Sequence, residues 1–136
     1  MTTENNLWPE FAFEAVRTPV AILQEQANEL GQRTQNILVG DIINTEALDD
    51  RTGEAVIIYQ FFIKAPALSN FRFLLLRLVQ GTALFPVTLS FDPVNKRFEN
   101  LDEEAFREKL RYVFHHEKTA EIIKSLYAQS VQLKGS

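Results

Sequence analysis

The sequence contains no cysteine, and among its 136 residues there are only two histidines, one tryptophan and one methionine. The missing thiol excludes disulfide frameworks, thiol nucleophiles, zinc ribbons and cysteine-held iron–sulfur clusters together. It also suits a reducing compartment. Five dispersed glycines leave no material for a phosphate-cradling loop. The longest apolar runs, such as Phe73 to Leu76, are far too short to span a bilayer. The opening residues, Met1 to Asn6, are polar and lead into no secretory pattern. These absences together lead us to expect a small cytoplasmic protein of bacterial type with no membrane association.

Positive charge is also scarce. Fourteen Lys/Arg stand against eighteen Asp/Glu, for a net charge of −4, which argues against a nucleic-acid partner. Residues 93–136 hold eight Lys/Arg and seven Asp/Glu, so the C-terminal third is near neutral and forms no basic tail.

What the sequence does hold is apolar mass. Hydrophobic residues make up 46% of it, with eleven phenylalanines. A chain of this length fits a single domain over 1–136 and buries roughly two-thirds of its unfolded surface, enough for a core without metal or disulfide. The segment Leu7-Trp8-Pro9-Glu10-Phe11-Ala12-Phe13-Glu14-Ala15-Val16 reads as a short helix or as an arm lying on that core, so 1–16 is expected as an N-terminal arm or short helix.

Thr18-Pro19 starts a helix: Thr can cap free amide groups, and Pro fits the first helical position because its missing N–H costs nothing there. Val20, Leu23, Ala27 and Leu30 follow at helical spacing, and the helix is expected over about 18–33. Four strand-like segments come next, Asn36 to Thr45, Ala55 to Lys64, Phe71 to Val79 and Ala83 to Phe91. Turn-forming residues separate them at Asp49 to Gly53, Pro66 to Asn70 and Gln80-Gly81. Such short connections favour an antiparallel meander. Beyond the turn at Asp92 to Asn95 there is room for a brief extension at Arg97-Phe98. Asn100 or Asp102 can then cap a helix whose apolar face is Phe106, Leu110, Val113 and Phe114. His115-His116 marks a bend, and a last helix carries Ile122, Ile123, Leu126 and Tyr127 to about Ser130, with 131–136 frayed. The expected fold is α+β: a four-stranded antiparallel meander with one N-terminal and two C-terminal helices, in the order α-β-β-β-β-α-α.

The hairpin of the third and fourth strands matters most, because register decides which side chains meet the core. A two-residue loop at Gln80-Gly81 places Leu78 opposite Ala83, Leu76 opposite Phe85 and Leu74 opposite Val87. The other face then carries Phe71, Phe73, Leu75, Arg77 and Val79, opposite Ser90, Thr88, Pro86, Leu84 and Thr82. A three-residue loop would instead stack Phe71 with Phe91 and Phe73 with Leu89. The two-residue register is preferred because it keeps Arg77 off the main core. In both registers both faces are apolar, whereas a sheet with one wet face should be polar on that side. Pro86 cannot donate to a ladder, so the fourth strand is expected at an edge. Phe71, Phe73, Leu75 and Leu84 are the expected interface residues, facing a second copy of the chain or another protein, unless the chain's own arm and a helix cover them.

The chemistry-bearing residues are few. His115-His116-Glu117 is the one cluster resembling ligands or an acid–base site, and it supplies the candidate catalytic residues of an alternative enzyme reading. Adjacent helical residues point about 100° apart, so the two histidines do not converge as an i,i+4 pair would. The more ordinary reading is a polar corner between helices. The acids Asp41, Glu46, Asp49, Asp50 and Glu54 lack calcium-loop spacing and the acid–x–lysine of a metal nuclease. No serine has a nucleophile-elbow context. Arg107, Arg111 and His115 form a helical stripe that could touch phosphate, but Glu103, Glu104 and Glu108 interleave with it, which favours an ion-paired solvated face. No metal and no cofactor are expected. The sequence thus leads to a non-catalytic binding or assembly module that self-associates through a sheet face.

Overall fold

The structure is a computed structural model that describes residues 7–13 and 16–134. Helix α1 spans Pro19–Arg33. Thr18 caps it, its Oγ1 accepting from the Ala21 N–H at 3.1 Å, as the Thr-Pro pair predicts. Ile22, Leu23 and Ala27 form its buried face. At its end Thr34 is buried, and its hydroxyl bridges Leu30 and Leu38: Oγ1 lies 2.9 Å from the Leu30 carbonyl and 2.8 Å from that of Leu38, and accepts from the Leu38 N–H at 3.1 Å. Gln35 and Asn36, both left-handed, reverse the chain.

Five strands follow, β1 (Val39–Leu48), β2 (Ala55–Ala65), β3 (Phe71–Gln80), β4 (Val87–Phe91) and β5 (Lys96–Leu101). They form one antiparallel sheet in the order β1-β2-β3-β4-β5. Helices α2 (Glu103–His115) and α3 (Glu117–Lys134) complete the order α-β-β-β-β-β-α-α. The α+β meander is therefore as expected, with one strand more: the extension foreseen at Arg97-Phe98 is a full partner of β4.

The β3–β4 hairpin differs from both registers considered. Leu78 pairs with Leu89, Val79 with Thr88 and Gln80 with Val87, so the loop is 81–86, six residues long. Its Phe85 packs on Phe106 of α2, with ring centroids 6.2 Å apart. Burial of that aromatic ring, rather than closure of a tight turn, accounts for the long loop. Pro86 precedes β4 and takes no ladder position; β4 is an interior strand, and the edges are β1 and β5.

A second departure sits inside β3. Phe61 pairs with Leu76, but Phe62 pairs with Leu74, leaving Leu75 as the extra residue of a β-bulge. A bulge lets two consecutive side chains share a side, and Leu75 and Leu76 are both buried in the core. Alternation therefore switches phase at this point. Phe71 and Phe73 lie on the same side as Leu76 and Leu78, opposite Ala65 and Ile63.

All three helices cover that side. Ala27 of α1 lies directly over Gly40 of β1. Phe114 of α2 meets Phe61 at 5.8 Å, and Tyr112 meets Phe91 and Phe98 edge-on at 6.3 and 5.8 Å. Asp102 caps α2, its Oδ1 accepting from the Ala105 N–H at 2.8 Å. Replacing Asp102 by alanine should cost about 1 kcal/mol, and by asparagine much less, as read by urea denaturation. A loss of equal size in both would mean that the charge, not the cap, matters.

The last helix runs through Lys134, past the end expected at about Ser130; residues 135–136 lie outside the described residues. Residues 1–6 and 14–15 of the expected arm also lie outside them. Its described part does not lie on the core. Trp8 is 76% exposed and Phe13 90% exposed, and Trp8, Phe11 and Phe13 stack on one another at 6.3 and 5.8 Å. Among the described residues no helix is long and apolar enough to cross a membrane.

Candidate functional site

The two histidines diverge. His116 closes α2 and opens α3: its N–H donates to the Val113 carbonyl at 3.2 Å and its carbonyl accepts from the Ala120 N–H at 3.1 Å. Its Nδ1 accepts from the Lys118 N–H at 2.9 Å, and its ring packs edge-on against Phe91 and Tyr112 at 5.1 and 5.5 Å. A ring nitrogen that accepts from an amide carries no proton, so this imidazole serves as a helix cap. Buried Thr119 strengthens the same corner, its hydroxyl donating to the Val113 carbonyl at 2.7 Å. His115 points elsewhere, its Nδ1–H donating to the Arg111 carbonyl at 2.9 Å. Glu117 is an exposed first residue of α3, where an acid suits the helix dipole. Among the described residues no group of three His, Cys, Asp or Glu could hold a metal.

The four residues expected at an interface are not brought together on one open surface. Leu75 is 1% exposed, and Phe73 is half-buried against the core. Phe71 is 49% exposed but on the helix-covered side, and Leu84 sits half-buried in the 81–86 loop. The bulge at Leu75 accounts for the β3 residues, since a one-residue shift exchanges the faces, and the six-residue loop takes Leu84 off the sheet.

The side without helices carries different residues. Strand pairing aligns Asp41, Phe62 and Leu74 across it, then Ile43, Gln60, Arg77 and Ser90, then Thr45, Ile58, Val79 and Thr88. Ile43, Ile58, Phe62, Leu74 and Val79 are all half-buried, and none belongs to the helix-covered core. Two ion pairs lie on this side, Arg72–Asp41 at 3.5 Å beside Phe62, and Arg77–Asp92 at 3.3 Å in the middle row between Leu74 and Val79. The Arg72 guanidinium also rides over the Phe62 ring at 4.8 Å.

The band is not flat. In a flat sheet β1 and β5 would lie about 19 Å apart. Yet Arg51, at the tip of the β1–β2 hairpin, pairs with Glu99 of β5 at 3.6 Å, and Glu99 also takes Arg97 at 3.2 Å. The sheet therefore curls into a trough on its helix-free side. Asp49 holds the hairpin tip in shape. It accepts the Arg51 and Thr52 N–H groups at 2.8 and 3.1 Å, and these bonds, helped by the nearby Arg51 and Arg97 charges, lower its carboxyl pKa below the usual value.

On the opposite side, α1 and α2 stand apart over the sheet and leave a cleft of about 440 Å³. Leu30, Phe114 and Ile123 are half-buried along it, the Phe61, Ile63 and Leu75 side chains beneath are 1% exposed, and its rim carries Gln26, Glu29, Arg33, Arg107, Arg111 and His115. The stripe foreseen on α2 thus has an ion-paired member, Arg107 to Glu103 at 3.3 Å, and it borders a cleft of mixed polar and apolar lining. No feature of the sequence marks this cleft, because its lining comes from five separate elements. The chain matches no protein-family model, no curated protein sequence and no solved structure.

Proposed function

We propose that the protein is a non-catalytic binding module that assembles with a second copy of itself through the helix-free trough of its sheet. The observation that carries this reading is the band of Ile43, Ile58, Phe62, Leu74 and Val79, which no helix covers and which lies outside the core. Large apolar side chains gathered on one face of an antiparallel sheet favour a partner over water. A trough accepts an inserted segment better than it accepts a second trough, and the chain offers such a segment. Leu7, Trp8, Phe11 and Phe13 are exposed at its N-terminal end. Insertion of this arm into the trough of another copy buries both apolar surfaces. The histidine-based alternative gains nothing from the geometry, since His115 and His116 serve different neighbours.

Light scattering behind a sizing column tests this. At tens of micromolar the intact chain should elute at twice its mass or more. Leu74→Glu, and separately a chain lacking residues 1–13, should elute at the single-chain mass with unchanged circular dichroism. A strict monomer for the intact chain at every concentration overturns the proposal, and a Leu74→Glu variant that still dimerises moves the interface off the trough.

A further inference from the structure

We infer that the N-terminal arm of one copy enters a second copy as a sixth strand, laid antiparallel along the outer edge of β1. The inference rests on the proposed self-association and specifies the mode and register of that contact.

The two edges of the sheet are not alike. β5 is six residues long, carries Lys96 and Arg97, and pairs with β4 through a register shift. Its Glu99 is engaged by both Arg51 and Arg97. Shortness, charge and irregularity are the usual protections of a sheet edge. β1 has none of the three: it runs ten residues in unbroken register with β2 and contains no Lys, Arg or Pro. Just beyond it, the Asp49 N–H donates to the Glu54 carbonyl at 2.8 Å. The same alternation carried back along the ladder gives β2 the backbone groups of the odd-numbered residues of β1. Those of Ile42, Asn44 and Glu46 face outward, and among the described residues nothing bonds them there.

The arm matches this edge in parity, size and charge. Pro9 has no N–H to give a ladder, so the backbone groups of Trp8, Glu10 and Ala12 are the ones that turn toward β1. These even positions then pair with the even, outward-facing positions of β1. Phe11 and Phe13 consequently fall on the side of Ile43 and Thr45, which is the trough. Pro9 also caps the new outer edge against a further strand. Direction follows from size. The Gly40 end of β1 lies under Ala27 of α1 and accepts the small Ala12, whereas the exposed Leu48 end has room for Trp8. Charge fixes the register, since Glu10 opposite Glu46 would set like charges face to face. Glu10 opposite Asn44 avoids this. It puts Phe11 beside Ile43 and Phe13 beside Asp41, at the end of the row that holds Phe62 and Leu74. Trp8 then lies at the open depression lined by Glu46, Leu48 and Ile57.

Amide hydrogen exchange of the full chain, dilute and at a concentration where it is dimeric, tests the strand. The Ile42 and Asn44 amides should exchange at least about tenfold more slowly in the dimer, while those of Ile43 and Thr45, already bonded to β2, change little. Cross-linking tests the register, cleanly in a chain without cysteine. Full-length Glu10→Cys mixed with full-length Asn44→Cys should form a disulfide between copies at least about tenfold faster than Glu10→Cys mixed with Arg97→Cys on β5. Both residues of the first pair are exposed, so each variant should melt as the parent does. A dimer whose Ile42 and Asn44 amides gain no protection overturns strand addition and leaves self-association standing. Equal protection at both concentrations would place the arm on its own β1 and also overturns the inference. So does Asn44→Cys linking to itself as fast as to Glu10→Cys, which would mean β1 pairing with β1. A chain that never dimerises removes both proposals together.

Discussion

Phe91→Ala should destabilise the protein by about 3–5 kcal/mol, the usual cost of emptying a buried phenylalanine site. Phe91 has no exposed surface. It stands on β4 opposite Leu76, and the rings of Tyr112 and His116 meet it edge-on at 88° and 81°. Three layers therefore lose contact at once: the neighbouring strand, the body of α2, and the His116 cap that joins α2 to α3. In a chain of this size the melting temperature should fall by roughly 10–20 °C. Phe91→Leu, which keeps most of the volume, should lose much less. Urea denaturation of the two variants measures the difference. A loss below 1 kcal/mol for the alanine variant would mean that the helical corner does not rest on this ring.

Gly40→Ala should be nearly as damaging for the opposite reason. A β-carbon at Gly40 would lie 2.5 Å from both the α- and β-carbons of Ala27, and 3.1 Å from the edge of the Phe61 ring. The first two atoms cannot swing aside, so α1 as a whole must lift from β1. Overpacking of this kind costs about 1–3 kcal/mol, at times more. Ala27→Gly in the same background should recover only part of the loss, because the Ala27 α-carbon lies equally close. A double-mutant cycle by thermal melting gives the coupling. Wild-type melting of Gly40→Ala would show that α1 is not seated on this strand.

Gly40 shows where sequence reading stops. It fell inside an expected strand, and glycine in a strand can mark a close backbone approach, but nothing nearby in sequence points to Ala27. The run from Phe71 to Leu76 presents the same difficulty. Its apolar residues are nearly continuous, so no alternation pins the phase, and a bulge at Leu75 costs little in hydrophobic pattern while reassigning faces. The expected interface at Phe71, Phe73, Leu75 and Leu84 followed from unbroken alternation. The six-residue loop was equally hidden, because Gln80-Gly81 offers turn residues that the chain passes without turning tightly. By contrast, the His115-His116 corner was legible, since helix ends are governed by local bonding.

The sequence by itself determined what depends on near neighbours. Thr18 and Pro19 start α1, Asn100 or Asp102 starts α2, apolar spacing identifies the buried stripe of α2 and part of that of α1 (Leu23 and Ala27 but not Ile22), and turn residues separate the strands into an antiparallel order. Tertiary structure alone decided which face of a doubly apolar sheet meets the helices and where β3 changes phase. The physical reason is degeneracy. When both faces of a strand are apolar, hydrophobicity cannot choose between them, and the choice falls to shape: the seat for Ala27 at Gly40, the pocket for Phe85 on Phe106, and the bulge that turns Leu75 inward.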